Sequence, residues 1–336
     1  MPKHTIVLIP GDGIGPEVTG ATKRVLETAG LQVEWVELPA GVTAIEQGFD
    51  NVLPQRTLAA IQAHKVALKG PVTTPVGGGF TSVNVQLRKK LNLYAAVRPV
   101  RSMPGVKTRY EDVDLIIIRE NTEGLYSGIE NEVVPGVVTS LKVASETACT
   151  RIARFAFRYA TRRQRKKITV FHKANIMKMT DGLFLKCARH IHEEEYPNIE
   201  YEELIIDAGC MKLIQDPTRS DIILCENLYG DVVSDMAAAL VGGLGVVPGA
   251  NIGDDAAVFE AVHGSAPDIA GKGVANPLAL VMSGVMMLRH LHEDAIADRI
   301  KGAYDAVLRE GKTLTRDLGG TAGTGEFTDA LIAKLK

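Results

Sequence analysis

The sequence predicts an α/β fold, because short runs of β-branched residues alternate with amphipathic helical segments along the chain. Strands are predicted at residues 5–9, 65–68, 113–118, 168–171, 199–206 and 222–224, and helices at 146–160 and 181–193. No internal repeat or low-complexity tract breaks this alternation. We therefore expect a parallel or mixed sheet with helices on both faces.

The length of the chain predicts two lobes. Its 336 residues exceed the size at which a single hydrophobic core usually stops growing. Hydrophobic residues make up 46% of the sequence and charged residues 23%, which is typical of an ordinary globular protein. The stretch rich in Gly and Ala at residues 237–253 indicates a boundary or hinge between the lobes. Two lobes imply a cleft in which a ligand can bind.

The charge balance argues against nucleic acid and membranes as partners. A formal net charge of −2 gives no long-range attraction for polyanions, and the basic run at residues 162–167 is most simply the solvated end of a helix. The apolar run at residues 5–10 is too short for a signal peptide, and no other segment approaches a membrane span. We expect a cytoplasmic protein, or a mitochondrial matrix protein if a transit peptide has been removed.

The cysteines predict a reducing compartment. They are widely spaced, and none forms a C-x-x-C pair. We expect them to be buried as small apolar residues without disulfides. These residues are Cys149, Cys187, Cys210 and Cys225.

The glycines near the N-terminus resemble a dinucleotide-binding fingerprint but have the wrong spacing. Gly11, Gly13 and Gly15 form G-x-G-x-G rather than G-x-G-x-x-G, and Pro16 stands where a first-turn proline begins a helix. The pattern predicts a tight turn between a strand and a helix. We therefore do not expect a Rossmann fold.

Three arginines are candidates for binding an anionic substrate. Arg88, Arg98 and Arg119 lie in segments that also hold the polar residues Ser82 and Asn84. Guanidinium groups bind carboxylates with two hydrogen bonds, so three of them around a cleft would suit a multiply charged carboxylate. The simpler alternatives are that Ser82 caps the following helix and that each arginine lies at the surface.

Asp231 and Asp235 are candidate metal ligands. They stand four residues apart, so on a helix both carboxylates point the same way and repel each other. A divalent cation would relieve this repulsion, and oxygen ligands without nearby His or Cys favour Mg²⁺ or Mn²⁺. An exposed acidic face is the alternative, but the apolar continuation of the helix argues against it.

A polar segment rich in Gly and Ala at residues 263–276 is a candidate cofactor loop. It is too long and too polar for a simple turn. Asp268 resembles in its chemistry the acid that binds a ribose diol and repels a 2′-phosphate in dinucleotide sites.

Taken together, these blocks resemble the β-decarboxylating dehydrogenases, the family of isocitrate, isopropylmalate, homoisocitrate and tartrate dehydrogenases. The resemblance covers nearly the whole chain and is closest to the catalytic subunits of NAD-dependent isocitrate dehydrogenases. It is carried in order by residues 9–17, 69–75, 93–99, 119–126, 171–175, 227–235 and 263–276.

The resemblance implies an isocitrate/isopropylmalate dehydrogenase-like fold with two lobes and mixed sheets flanked by helices. The large lobe, on the cofactor side, would comprise residues 1–95 and 243–336, and the small lobe residues 96–242. A segment near residues 126–160 would interlock with a second subunit. The expected assembly is therefore a homodimer or a higher homo-oligomer with shared active sites.

The resemblance also implies roles for individual residues. Arg88, Arg98 and Arg119 would bind the substrate carboxylates, while Tyr126 and the partner subunit's Lys173 would transfer protons during the reaction. Asp231, Asp235 and the partner subunit's Asp207 would hold Mg²⁺ or Mn²⁺. The residues expected to contact NAD⁺ are Thr73, Thr74, His263, Gly264, Ser265, Ala266, Asp268, Ile269 and Asn276.

Within the family, polar residues favour isocitrate as the substrate. Ser82 and Asn84 offer hydrogen bonds to a third carboxylate where isopropylmalate enzymes offer apolar contacts. Homoisocitrate, one methylene longer, is the alternative, because one methylene changes binding by only about 1–3 kcal/mol. Asp268 and Ile269 favour NAD⁺ over NADP⁺, as does Gly320, although Arg316 leaves room for weak use of NADP⁺.

A regulatory subunit without catalytic activity is the rival interpretation. Such subunits resemble catalytic ones but lack part of the catalytic set. Because the catalytic residues named above are all present, the inventory favours an enzyme.

Overall fold

The computed structural model describes residues 3–73 and 81–335. The strands are β1 (His4–Ile9), β2 (Val33–Glu37), β3 (Val66–Lys69), β4 (Ala95–Arg101), β5 (Asp114–Glu120), β6 (Gly124–Val134), β7 (Val137–Val143), β8 (Lys167–His172), β9 (Glu200–Ile205), β10 (Ile222–Cys225), β11 (Pro248–Ile252) and β12 (Ala257–Ala261). The helices are α1 (Gly15–Thr28), α2 (Val42–Glu46), α3 (Gln55–His64), α4 (Val83–Lys90), α5 (Glu146–Arg162), α6 (Thr180–Glu195), α7 (Ile206–Gln215), α8 (Asn227–Ala239), α9 (Leu278–His290), α10 (Asp294–Glu310) and α11 (Thr324–Ala333).

Each strand and helix predicted above is present, with ends shifted by a few residues. The strands β2, β4, β6, β7, β11 and β12 were not predicted. β4 contains Pro99, a residue that ordinarily argues against a strand inside a sheet. The pair β6 and β7 is exposed along most of its length, so it lacks the alternation that marks a half-buried strand.

The chain divides into two compact units. The first comprises Met1–Leu93, Ser102–Arg109 and Val241–Lys336, and the second comprises Tyr94–Arg101 and Tyr110–Leu240. These boundaries differ from the predicted lobes mainly at residues 102–109, which belong to the first unit. The assignment of a cofactor side and of an interlocking segment stays a prediction.

The first unit is built on strands in the order β2-β1-β3-β12-β11. β1 pairs in parallel with β2 and β3, and β3 with β12, whereas β11 and β12 are antiparallel. Residues 66–69 of β3 are all buried, as expected for a strand covered on both faces. α9 is buried along most of its length and contacts β11, β12, α1 and α10. The fold is therefore mixed α/β, as predicted.

The second unit has strands in the order β4-β5-β10-β8-β9, with a separate hairpin of β6 and β7. β4 and β5 are antiparallel, and the pairs β5–β10, β10–β8 and β8–β9 are parallel. α5 packs its apolar side on β5, β8 and β10, while α8 packs on β4, β5 and β10. Because β5 leads directly to β6 and lies beneath α8, its carboxyl end brings several polar side chains together.

The glycines near the N-terminus form the tight turn that the spacing predicted. Gly11 and Gly13 have φ of 84° and 60°, and a Cβ on either would lie about 2 Å from the carbonyl oxygen of Pro71 or Ser265. Pro16 lies in the first turn of α1. Glycine is thus required here because other segments of backbone approach the turn closely.

The basic run at residues 162–167 is a helix end before a strand, as predicted, but it is not wholly solvated. The side chain of Arg165 is 19% exposed and pairs with Asp114 at 2.6 Å and Asp221 at 2.8 Å. Lys167 pairs with Glu202 at 2.7 Å. Carboxylates therefore compensate part of the positive charge.

The cysteines behave as expected. All four lie in the described part of the chain as free thiols, and Cys149, Cys187 and Cys225 are buried while Cys210 is partly buried. Burial raises the pKa of Cys149 to about 12. Across residues 3–73 and 81–335, no helix has both the length and the apolar character that crossing a membrane requires.

A buried ion pair gives a test of this core. Lys69 Nζ lies 2.7 Å from Glu260 Oε2, with side-chain exposures of 2% and 5%, and Asn251 donates to the same carboxylate at 2.6 Å. Replacing Lys69 by Met should lower the free energy of unfolding by about 3–5 kcal/mol, because Glu260 keeps a buried charge without its cation. Arg24→Met, which breaks an exposed pair with Asp329, should cost less than about 1 kcal/mol. Chemical denaturation measures both, and equal small losses would contradict the assignment.

Candidate active site

Arg119 is the central cation of a polar cluster in the second unit. It lies at the end of β5 with a side chain that is 2% exposed. Its Nε and Nη2 donate to Asn227 Oδ1 at 3.0 and 2.7 Å, and its Nη1 donates to Asp231. Asn227 in turn donates to the carbonyl oxygen of Glu123 at 2.8 Å. The guanidinium is therefore held between β5 and the first turns of α8.

Tyr126 completes this cluster from β6. Its hydroxyl donates to Asp231, and the Arg119 guanidinium carbon lies 5.0 Å from the centre of its ring. Burial and the Asp231 carboxylate raise the pKa of Tyr126, although Arg119 opposes the shift. The phenol is therefore protonated at neutral pH and is able to donate a proton.

Asp231 and Asp235 lie on α8, so the prediction of two carboxylates on one helix is confirmed. Burial and the neighbouring Asp231 raise the pKa of Asp235, and Arg98 and Arg119 act in the opposite direction. Such repulsion between two acids is what a divalent cation relieves, so the oxygen donors present fit Mg²⁺ or Mn²⁺. Within the described ranges no group of three His, Cys, Asp or Glu side chains is placed to hold a metal.

Lys173 and Asp207 form a second, separate pair. Lys173 Nζ lies 2.7 Å from Asp207 Oδ1, and the Asp207 side chain is 69% exposed. The backbone N–H of Lys173 donates to Asp181 at 2.7 Å, and Asp181 also accepts from Lys142 at 2.5 Å. These hydrogen bonds join the loop that carries Lys173 to the carboxyl end of β7, where Lys142 lies. Asp207 thus faces solvent while Lys173 is partly buried, and the Lys173 amine bonds to Asp207 rather than to Asp231.

Ser82, Asn84 and Arg88 lie on or beside α4 in the first unit. Ser82 is the N-cap residue of α4, the position that the simpler alternative gave it, although its side chain forms no capping hydrogen bond. Asn84 and Arg88 are one turn apart and therefore share a face of the helix. Asn84 Oδ1 is buried and accepts no hydrogen bond from the described part of the chain.

The predicted cofactor residues gather in two segments of the first unit. Thr73 Oγ1 and Ser265 Oγ are 2.5 Å apart, and the Ser265 carbonyl accepts from the N–H of Ile14 at 2.9 Å. Burial lowers the pKa of His263, which favours its neutral form, and its Nε2 lies buried without a hydrogen-bond partner in the described ranges. Asn276 donates to Asp317 at 2.8 Å.

The other predicted cofactor residues lie on the surface of the same loop or outside the described residues. Gly264 and Asp268 are exposed, and Ala266 and Ile269 are partly buried. Ala266 has a φ of 38°, and Asp268 and Ile269 belong to a short 3₁₀ turn. Thr74 lies outside the described residues.

Two residues that organise this region, Asp12 and Glu17, were not predicted from the sequence. Asp12 is 6% exposed and accepts four hydrogen bonds from three residues of neighbouring loops. Glu17 accepts from Gly273, Ala275 and Thr324. Both flank the glycines of the first turn, so their position beside a tight turn was the available signal.

Comparison with known proteins defines the class. Residues 5–331 match the family model described as isocitrate/isopropylmalate dehydrogenase, and the chain belongs to this family. The fold and the family resemblance predicted from the sequence are thereby confirmed. The chain is 54% identical over 332 residues to the mitochondrial catalytic subunit 5 of NAD isocitrate dehydrogenase from Arabidopsis thaliana, covering 98% of this chain and 88% of the relative.

Two further proteins bear on the function. A mitochondrial protein of Dictyostelium discoideum, named as one of the regulatory subunits of NAD isocitrate dehydrogenase, is 49% identical, with 98% of this chain and 91% of the relative covered. The crystal structure of isocitrate dehydrogenase from Methylococcus capsulatus superposes with a TM-score of 0.95 at 50% identity, covering 99% of both chains. High similarity thus extends to relatives with catalytic and with regulatory names.

Proposed function

We propose that this protein is an NAD-dependent isocitrate dehydrogenase that oxidatively decarboxylates isocitrate to 2-oxoglutarate and CO₂ with a divalent metal ion. The observation that carries the proposal is the cluster of Arg119, Tyr126 and Asp231, with Asp235 on the same helix. It supplies a cation for a carboxylate, a proton donor and two oxygen ligands. The names of relatives about half identical over nearly the whole chain support the choice of isocitrate and NAD⁺.

The substrate would be bound through its carboxylates. Arg119 and Arg98 are buried cations near the two aspartates of α8, and each offers a planar pair of N–H donors. Asp231 and Asp235 would hold Mg²⁺ or Mn²⁺, with the partner subunit's Asp207 as a further ligand. The bound metal would stabilise negative charge on the substrate oxygen at C2. Arg119 would then exchange part of its contact with Asp231 for contact with the substrate.

Proton transfers would be divided between two side chains. Lys173 would take the proton of the C2 hydroxyl while hydride passes from C2 to NAD⁺. After CO₂ leaves from C3, the hydroxyl of Tyr126 would donate the proton that completes the product. The position of the Tyr126 hydroxyl, which donates to Asp231 inside the cluster, supports this role.

In a homodimer or a higher homo-oligomer with shared sites, Lys173 and Asp207 of one subunit would reach the cluster around Arg119 of the next subunit. The hairpin of β6 and β7 supports this proposal because its large apolar side chains are exposed. Contiguous exposed apolar surface marks an interaction site. These side chains are Ile129, Val133, Val134, Val137, Val138 and Leu141, with exposures from 43% to 65%. The apolar side of α5 packs within its own unit. We therefore remove α5 from the predicted interlocking segment at residues 126–160 and limit the proposed surface to the hairpin.

Ser82 and Asn84 support isocitrate over isopropylmalate, and homoisocitrate stays the alternative. The Ser82 hydroxyl, which forms no capping hydrogen bond, and the side-chain NH₂ of Asn84 can each donate to a third carboxylate. Asp268 is exposed in the cofactor loop, where its charge would repel the 2′-phosphate of NADP⁺. We place the protein in the cytoplasm or the mitochondrial matrix, the latter in line with the names of its relatives.

A regulatory subunit is the second candidate function. The name of the Dictyostelium relative favours it. Against it stands the complete cluster of Arg119, Tyr126, Asp231 and Asp235 in this chain. The two functions differ in whether the purified chain turns over substrate alone.

The first test is formation of NADH by the purified protein with Mg²⁺ and NAD⁺. Isocitrate, homoisocitrate, isopropylmalate and tartrate are offered separately, and the best substrate is repeated with EDTA and with NADP⁺. We expect rapid turnover of isocitrate that EDTA abolishes. Preference for homoisocitrate would contradict the interpretation of Ser82 and Asn84, and inactivity on all four would support the regulatory function.

Tyr126→Phe tests the proton donor. The variant keeps the ring beside Arg119 but lacks the hydroxyl, so kcat should fall about 10²–10⁴-fold while KM for isocitrate changes little. Tyr196→Phe is the control and should leave kcat unchanged. Tyr196 is distant in sequence from Tyr126, and its ring stacks on Phe157. Steady-state kinetics measures both, and an unaltered kcat for Tyr126→Phe would remove this residue from the mechanism.

Gly230→Ala tests the position of Arg119. A Cβ at residue 230 would lie 2.6 Å from both Cβ and Cγ of Arg119, so the guanidinium must move. KM for isocitrate should rise roughly tenfold or more, the effect of losing about one charge-assisted hydrogen bond. Gly182→Ala, on α6 with open space around it, is the matched control. Equal KM values for the two variants would refute the role of Arg119.

A further inference from the structure

The turn between β1 and α1 uses its backbone to bind protein rather than to present N–H groups to a phosphate. The N–H of Asp12 donates to the Pro71 carbonyl at 2.7 Å, that of Ile14 to Ser265 at 2.9 Å, and that of Gly15 to Asp12 at 2.9 Å. A dinucleotide fingerprint instead leaves such groups for the pyrophosphate. The turn therefore contributes to a nucleotide site in a different way.

The carboxylate of Asp12 fixes one of the two cofactor segments. Its Oδ2 accepts from the N–H of Thr73 at 2.6 Å and of Val42 at 3.1 Å. Its Oδ1 accepts from the N–H and hydroxyl of Thr43 at 2.8 and 2.6 Å. Thr73 is then held with its hydroxyl 2.5 Å from that of Ser265. One buried charge thus determines where Thr73 and its contact with the other segment lie.

The carboxylate of Glu17 fixes the second segment. It accepts from the N–H of Ala275 at 3.0 Å and of Gly273 at 3.3 Å, and from the hydroxyl of Thr324. The Thr324 hydroxyl also lies 2.5 Å from the Ala275 carbonyl, so its single proton is shared between that oxygen and Glu17, and the Thr324 N–H donates to the Gly273 carbonyl at 2.9 Å. Residues 273–275 are therefore held between the first turn of α1 and the first turn of α11.

We propose that Asp12 and Glu17 are positioning residues for NAD⁺, which place Thr73 and the loop ending at Asn276 without touching the cofactor. The inference rests on the proposed function, because it takes these two segments as the cofactor site. The physical reason is that loop N–H groups need fixed acceptors, and a carboxylate at each end of one rigid turn supplies them. Neutralising either acid leaves the loop donors with a weaker, single acceptor.

The variants Glu17→Gln and Asp12→Asn test the proposal. Calorimetry measures the binding of NAD⁺ to each intact variant protein and to the wild type. The Kd for NAD⁺ should rise about tenfold in each variant, as expected for the loss of one charge-assisted hydrogen bond. KM for isocitrate at saturating NAD⁺ should stay within about twofold of the wild-type value, an order-of-magnitude bound for a site left intact. A purely structural role would instead raise both constants and lower kcat.

Matched variants separate the roles of charge and hydroxyl. Glu27→Gln, on the same helix and bonded to Trp35, should leave NAD⁺ binding unchanged. Thr324→Val should weaken NAD⁺ binding, and Thr324→Ser, which keeps the hydroxyl, should restore it. Because Asp12→Asn can lower stability, the Glu17 and Thr324 variants carry the test if that protein fails to fold.

Hydrogen exchange gives a readout that does not need activity. The amides of Gly273 and Ala275 should exchange faster in Glu17→Gln than in the wild-type protein. Unchanged exchange, or unchanged Kd for NAD⁺, would overturn the inference. A wild-type protein that binds NAD⁺ but does not turn over isocitrate would overturn the proposed function alone.

Discussion

The buried guanidinium of Arg119 is the charge on which the candidate site in the second unit depends. A cation that is 2% exposed must be compensated, and Asn227 and Asp231 supply the compensation from α8. This requirement fixes the first turns of α8 against the end of β5. It also fixes Asp231 beside Tyr126. The positions of Asn227, Asp231 and Tyr126 therefore follow from the need to compensate the buried charge of Arg119.

Glycines allow these close approaches. Gly230 lies against the aliphatic part of Arg119, and Gly209 lies against the ring of Phe171 below α7. In the first unit Gly11 and Gly13 let Pro71 and Ser265 reach the turn that carries Asp12. At Gly230, Gly11 and Gly13 the small residue lies beside or next to a charged side chain, Arg119 or Asp12, so packing and electrostatics are set by the same positions.

Much of the fold was predictable from local pattern. The strands with continuous buried β-branched residues, such as β5 and β10, were found because burial on both faces leaves a clear signal. Asp231 and Asp235 were placed on one helix by their spacing alone. The exposed hairpin carries no such signal because most of its residues are exposed, and β4 carries none because Pro99 argues against a strand.

The residues of the site were predictable from the sequence, but the hydrogen bonds between them were not. Motifs identified Arg119, Tyr126 and Asp231, yet the bonds among them join positions about a hundred residues apart. Asp12 and Glu17 lie in the segment at residues 9–17 that carries the family resemblance, but nothing in that segment shows which backbone N–H groups their carboxylates bind. Their donors belong to loops whose approach only the folded chain determines.

The pair formed by Lys173 and the exposed Asp207 has a consequence for how such proteins diversify. If these side chains serve a neighbouring subunit, a duplicated gene can lose the cluster around Arg119 and still encode a chain that completes a partner's site. Selection on the two copies then acts on different sets of residues in one chain. Division of labour between catalytic and supporting subunits would follow without any change of fold.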